Sequence, residues 1–238
     1  MTEHQYERTQ LLLGEEGVAA LRRARVAVFG IGGVGGFAVE ALARAGVGTL
    51  DLVDSDRVVL SNLNRQIIAT HDTLGRYKTE AAAERIRSID PETAVHIHNC
   101  FFLPETASQF DFTQYDYVID AIDTVTGKLG LIEACRAAGT PIVCSMGAGN
   151  KLDPTAFRLA DIYDTKVCPL ARVMRYECRK RGIPSLPVVY SEEKPVLPRE
   201  KGGPVGSVSF VPSVAGLILA GKVIRDLVAE KPLIRGRK

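Results

Sequence analysis

A doubly wound, Rossmann-like α/β fold with a mainly parallel sheet is what this sequence predicts, and three observations predict it. Short apolar runs alternate with helical stretches, a pattern that builds parallel sheets covered on both faces. The first run, Arg25 to Phe29 (RVAVF), leads straight into a glycine-rich turn and then a helix. The second run, Thr49 to Val53 (TLDLV), ends at an acid, Asp54. The 238 residues are 46% hydrophobic and 24% charged, which excludes disorder for most of the chain and allows a large core. No repeat and no break in composition is visible, so one domain over 1–238 is expected.

The remaining elements follow in order. Glu15 to Arg23 reads as a short helix. Phe37 to Ala45 is the helix after the glycine turn and stops at Gly46. Lys78 to Ile89 is helical and closes at Asp90-Pro91, because a residue before proline avoids helical backbone. Val95 to Cys100, Tyr117 to Ile122 and Pro141 to Ser145 supply the third, fourth and fifth strands, with a helix over Gly127 to Ala138 before the fifth. The last third differs. Phe157 to Ala160 is a candidate strand, and Pro169 to Arg181 reads as a basic helix. Val188 to Gly203 is rich in Pro, Glu and Lys and is predicted to be a mobile loop. Residues 202 to 221 carry no charge, but Pro204 and Pro212 argue against a membrane-spanning helix and for a buried helix from about Ser213.

Charge and cysteines narrow the classes further. The 30 basic and 28 acidic residues leave a net charge of +2, so any nucleic-acid surface must be local. Cys100, Cys135, Cys144, Cys168 and Cys178 form no C-x-x-C pair, which argues against a zinc ribbon. Met1 to Gln10 is polar and does not read as a secretory signal. A reducing cytoplasm is the expected location.

Gly30-Ile31-Gly32-Gly33-Val34-Gly35 lies between strand and helix. Glycine permits a tight bend and close backbone approach to phosphate, while the helix start offers free N–H groups and a partial positive charge. Asp54, at the end of the second strand, sits where a ribose hydroxyl is held. The stretch from Asp54 and Asp56 to Asn62, Arg65 and Gln66 points to a triphosphate rather than a dinucleotide. Arg65 can fork onto phosphate oxygens, Lys78 can act as a point charge, and Asn62 and Gln66 can bond ribose or phosphate. A cation at a helix start opposes the dipole, which favours a ligand for Lys78 over a purely solvated role. Asp120 and Asp123 end an apolar strand, where ligands bind in open α/β sheets, and Mg²⁺ needs few carboxylates when phosphates supply the rest. The alternative for Asp123 is a helix cap.

Through GIGGVGG, DSDRVVLSNLNRQ, GRYK and VIDAIDT, the chain resembles the ThiF/MoeB/ubiquitin-activating adenylyltransferases over residues 6 to about 150. The resemblance implies adenylation of a carboxylate with ATP and Mg²⁺. It places Gly30, Gly32, Gly33 and Gly35 at the phosphates, Asp54 on the ribose, and Asn62, Arg65, Gln66 and Lys78 around the triphosphate. It makes Asp123 the metal ligand and Arg8 an arginine that reaches into the partner's site, hence a homodimer. Residues 164–175, 188–195 and 206–212 are similar to the tRNA threonylcarbamoyladenosine dehydratase branch. That implies a tRNA carrying threonylcarbamoyladenosine as substrate and a cyclising dehydration by way of an adenylated carboxylate.

Arg172, Arg175 and Arg179 recur at helical spacing and share one face. Such a face is commonly solvated; with the tRNA substrate implied by the resemblance, it becomes a backbone-contacting surface. Cys168, just before Pro169, reads as a small buried residue, and the loop at 188–203 has no cysteine for a covalent relay. His96, His98 and Cys100 alternate on one strand, where a polar edge explains them better than a metal. Other readings remain: a sulfur-carrier-protein adenylyltransferase, a non-catalytic nucleotide-binding scaffold, and an NAD-dependent dehydrogenase, which lacks an evident hydride-transfer site. A sulfur-transfer protein stays open as a partner.

Overall fold

The structure is a computed structural model that describes residues 4–196 and 205–229. Its centre is a seven-stranded sheet of β1 (Arg25–Phe29), β2 (Thr49–Val53), β3 (Ala94–His98), β4 (Tyr117–Asp120), β5 (Ile142–Ser145), β6 (Phe157–Asp161) and β7 (Pro187–Ser191). The spatial order is β3-β2-β1-β4-β5-β7-β6, and every pairing is parallel except β6 with β7. The order reverses between β1 and β4, which opens a crevice at the carboxyl ends of those strands.

Helices cover both faces: α1 (Glu7–Arg23), α2 (Gly35–Ala45), α3 (Lys78–Ile89), α4 (Val125–Ala138), α5 (Pro169–Lys180) and α6 (Phe210–Val228). β1, β2 and β4 are buried almost throughout, because parallel strands are covered on both sides. α2 ends where Gly46 takes φ 91°, a left-handed cap that favours glycine. α6 crosses the start of α2 so closely that a Cβ on Gly216 would lie 2.2 Å from the Val34 carbonyl oxygen. An aromatic cluster under β1 and β4 gathers Phe29, Phe102, Phe110 and Phe112 edge-to-face and stacked. No helix among the described residues is long and apolar enough to cross a membrane.

Several expectations are corrected. The first helix starts at Glu7 rather than Glu15; it breaks at Gly14 (φ 77°, ψ 170°), and that break hid its first half from a helical pattern. The third strand stops at His98 and the fourth at Asp120, whose carboxylate takes the Ile122 N–H and turns the chain. The predicted loop at 188–203 is wrong at its start. Val188, Val189 and Tyr190 are buried in β7, with Pro187 at the first position, where its missing N–H costs least. Residues 197–203 of that stretch lie outside the described residues. β3 is an edge strand, and His98 uses its ring to meet Asp51 at 3.2 Å.

Candidate active site

The crevice holds a cavity of about 400 Å³ that runs across the strand ends in sheet order. Cys100 to Phe102 line it beyond β3, Asp54 to Asp56 beyond β2, the glycine turn beyond β1, Ala121 to Asp123 beyond β4, and Ala148 and Gly149 beyond β5. Arg65, Gln66, Asn62 and Lys78, together with Val205, Ser207 and Pro212, complete the lining.

The glycine turn is shaped by contacts that a side chain would break. A Cβ on Gly35 would sit 1.7 Å from the Gly30 carbonyl oxygen, and Gly30 itself has φ 89° with the Ala121 carbonyl beside it. Gly33 is pressed between Arg65 and Pro212, each 3.3 Å from a notional Cβ. Gly32 differs: its nearest neighbour would be the Gln66 amide at 3.9 Å, so the missing side chain there leaves room in the cavity.

Asp54 clamps this turn. One carboxylate oxygen accepts the Ile31 N–H at 2.7 Å and the other the Asp56 N–H at 2.8 Å. Each oxygen keeps a lone pair for a further donor. Lys78 begins α3 and is buried, with Nζ 2.6 Å from the Asp56 carboxylate and 3.9 Å from that of Asp54. Asn62 is buried and its Oδ1 accepts the Val59 N–H at 3.3 Å, which fixes the turn leading to Arg65. Arg65 spends one guanidinium nitrogen on the Ser61 carbonyl (2.9 Å) and the Asn64 side chain (3.0 Å). The buried Gln66 Oε1 has no hydrogen-bond partner. An unpaired buried carbonyl oxygen is costly, and a hydroxyl donor from a ligand would satisfy it.

Beneath the cavity lies a pair that the sequence did not announce. Lys128 and Asp120 are both 0% exposed, and Nζ is 3.1 Å from each carboxylate oxygen and 2.7 Å from the Ser145 carbonyl. Asp120 also accepts the Ile122 N–H at 3.0 Å. One charge pair thus ties the ends of β4 and β5 to α4 and sets the turn that presents Asp123. Asp123 itself is exposed on the cavity wall.

Other predicted residues lie elsewhere. Arg8 is exposed on α1 and does not line this cavity. On α5, Arg172 and Arg179 are exposed, with Arg179 over the Tyr163 ring at 5.3 Å. Arg175 is half-buried, its guanidinium tied to the Thr165 carbonyl at 2.7 Å, so the three arginines do not form one free face. Cys168 is buried at the start of α5. Cys100 reaches the cavity, but burial pushes its thiol up, away from a reactive thiolate. The sequence reading missed Phe101, Phe102 and Val205, which carry no motif; Ser207 and Pro212 lie in the 206–212 segment that carried the resemblance but were not assigned to the site.

Fold and site together define an α/β protein of the nucleotide-binding class, with a glycine turn at the strand ends and Arg65 and Lys78 close by. The chain belongs to the ThiF family, which it matches over residues 6–237. It is 44% identical to a tRNA threonylcarbamoyladenosine dehydratase of Bacillus subtilis over 95% of this chain and 96% of that one. The Escherichia coli protein of the same name is 40% identical over 93% and 92%. Crystal structures of the E. coli dehydratase TcdA in complex with AMP and with ATP superpose with TM-scores of 0.89 and 0.88 at 36% identity, covering 95% of this chain.

Proposed function

We propose that this protein is an ATP-dependent tRNA threonylcarbamoyladenosine dehydratase. The observation that carries the reading is the gathering of the glycine turn, Asp54, Arg65, Gln66, Lys78 and Asp123 in one cavity, in a chain similar to dehydratases along almost its whole length.

The nucleotide would lie along the crevice. Asp54 and the unpartnered Gln66 Oε1 accept from the ribose hydroxyls, and the backbone of Gly30 to Gly35 approaches the phosphates. Arg65 and Lys78 draw charge from the phosphoryl oxygens as it develops. Asp123 fits Mg²⁺, because it offers one exposed carboxylate and leaves the other positions to phosphate and water. That ion would neutralise phosphate charge. The threonyl carboxylate of the modified adenosine attacks the α-phosphorus, and the bond to the leaving pyrophosphate breaks. The carbamoyl group then closes on the activated carbonyl, the ring forms, and AMP leaves with the carboxyl oxygen. Activation replaces hydroxide, a poor leaving group, with AMP. The protein contributes position and electrostatic stabilisation.

A homodimer completes the reading, with Arg8 entering the partner's cavity, since Arg8 lies away from its own. Arg172 and Arg179 offer phosphate contacts to tRNA.

The test compares acceptors. Pyrophosphate and AMP release are measured with ATP and either threonylcarbamoyladenosine tRNA or a small carrier protein ending in a glycine tail. Turnover with the modified tRNA alone is expected. Adenylation of the carrier with no tRNA-dependent AMP would refute the reading in favour of sulfur-carrier activation.

A further inference from the structure

Asn150 lies after β5 with φ 56°, a left-handed backbone that asparagine and glycine tolerate and most residues do not. Three hydrogen bonds meet on it. The Val196 N–H donates to the Asn150 carbonyl at 2.7 Å, and the Asn150 N–H donates to the Gly206 carbonyl at 2.7 Å. The Gly206 N–H donates back to the Asn150 side-chain Oδ1 at 2.6 Å. One residue therefore joins the chain that leaves β7 to the chain that enters α6. The two backbone bonds need only a main chain held in this left-handed conformation, as glycine would supply; the third needs an acceptor of asparagine's or aspartate's length.

What Asn150 holds is a wall of the cavity. Val205 and Ser207 flank Gly206 and both line the cavity beside Ala148 and Gly149. Val205 lies so close on Gly149 that a Cβ there would fall 2.1 Å from Val205 Cγ1. The Ser207 carbonyl accepts the Asn64 amide at 3.0 Å, which joins this wall to the segment carrying Arg65 and Gln66.

The sheet order says which end of the cavity this is. Asp54, the ribose acid, stands beyond β2, and the glycine turn stands beyond β1. A nucleotide laid from β2 across β1 leaves the β5 end beyond its phosphates, and an acyl acceptor must enter there to meet the α-phosphorus. We infer that Asn150 is a positioning residue that builds the acceptor end of the crevice, holding 205–207 against Gly149 without touching the nucleotide. This inference rests on the reading of the site as ATP-dependent carboxylate activation.

Two variants isolate the side chain. Asn150→Gly keeps the left-handed backbone and loses the acceptor, whereas Asn150→Asp keeps both. Steady-state AMP formation is measured with ATP and modified tRNA varied separately, and nucleotide affinity is measured directly on the same preparations. For Asn150→Gly, kcat/KM for tRNA should fall roughly five- to tenfold, the value of one lost hydrogen bond, with ATP affinity within about twofold of the parent. Asn150→Asp should restore acceptor use. Equal loss of ATP binding and acceptor use, no change in either, or an Asp variant as poor as the Gly variant would each overturn the inference. If the unmodified protein instead turns over a carrier protein, the functional reading fails by itself, and the same split is measured on the carrier.

Discussion

Replacing Lys128 with methionine should cost this protein more stability than any single change on its surface. Lys128 and Asp120 are both 0% exposed, and the ammonium makes three contacts of 2.7–3.1 Å with the Asp120 carboxylate and the Ser145 carbonyl. Lys128→Met keeps the apolar stem and deletes the charge, so Asp120 is left buried and unpaired. Breaking one side of a buried ion pair costs about 3–5 kcal/mol. For a chain of this size that corresponds to a fall in Tm of roughly 6–20 °C. The pair, not the lysine, is the unit. Asp120→Asn keeps an acceptor for the Ile122 N–H and leaves no charge stranded in the core. The double variant Lys128→Met/Asp120→Asn should therefore recover at least half of the loss, because removing both charges removes the desolvation penalty with them. Urea unfolding of the parent, both single variants and the double gives the cycle. A single-variant loss under about 1 kcal/mol, or strictly additive losses, would refute the argument that this pair is an isolated buried charge couple.

Three further outcomes follow from the same geometry. Mixing Arg8→Ala with Asp123→Ala protein should recover AMP formation that neither has alone, since each heterodimer would hold one intact composite site; no recovery after demonstrated subunit exchange would remove Arg8 from the site. Arg172→Ala/Arg179→Ala should weaken tRNA binding and lower its salt slope by roughly one to two, as fewer counterions are released, with ATP affinity unchanged; unchanged slope and affinity would make α5 a structural helix only. Burial raises the Asp51 carboxyl, but hydrogen bonds from His98 and Arg25 outweigh it and hold the group below its ordinary value. Its contribution to stability is present above the unfolded value of about 3.9 and is lost as pH falls through the lower folded value, so Asp51→Asn should show a shallower acid loss below about pH 4. Equal acid slopes for parent and variant would count against that account.

The cavity's chemistry was legible where it depends on local spacing. A glycine turn after an apolar strand, an acid after the next strand and another acid after the fourth each fall at a strand's carboxyl end by the fold's own geometry, so the sequence alone places Gly30, Asp54 and Asp123 together. What could not be read depends on contacts between distant segments. Lys128 sits on a helix, where a lysine is ordinarily solvated; only the depth of α4 against β4 and β5 buries it. Arg175 looked like its neighbours Arg172 and Arg179 until Thr165 claimed it. Asn150 and Gly206 meet across 56 residues, and no local pattern marks the pair. The missed strand at Pro187–Ser191 is different: Val188-Val189-Tyr190 is a β-forming run, overshadowed by the prolines and charges that follow it.

The two lysines near the strand ends show how burial of the partner divides architecture from chemistry. Both amines are almost wholly buried, and both have an aspartate within hydrogen-bond reach. Lys128 faces an Asp120 side chain that is 0% exposed, so releasing it would strand a carboxylate in the core, and the pair stays closed through any reaction. Lys78 faces an Asp56 side chain that is 65% exposed. If Lys78 leaves it, that carboxylate returns to water, while the nearly buried Asp54, 3.9 Å from Nζ, loses only the longer contact and keeps the Ile31 and Asp56 N–H donors. In the proposed reading, a phosphate over the glycine turn takes Lys78 from Asp56, gaining a buried cation whose former partner is solvated. Asp56 and Asp54 hold the lysine in place at the start of α3. Its interaction with ligand is nonetheless free to strengthen as negative charge builds on the phosphoryl oxygens, which is the property that lowers a barrier rather than merely tightening binding.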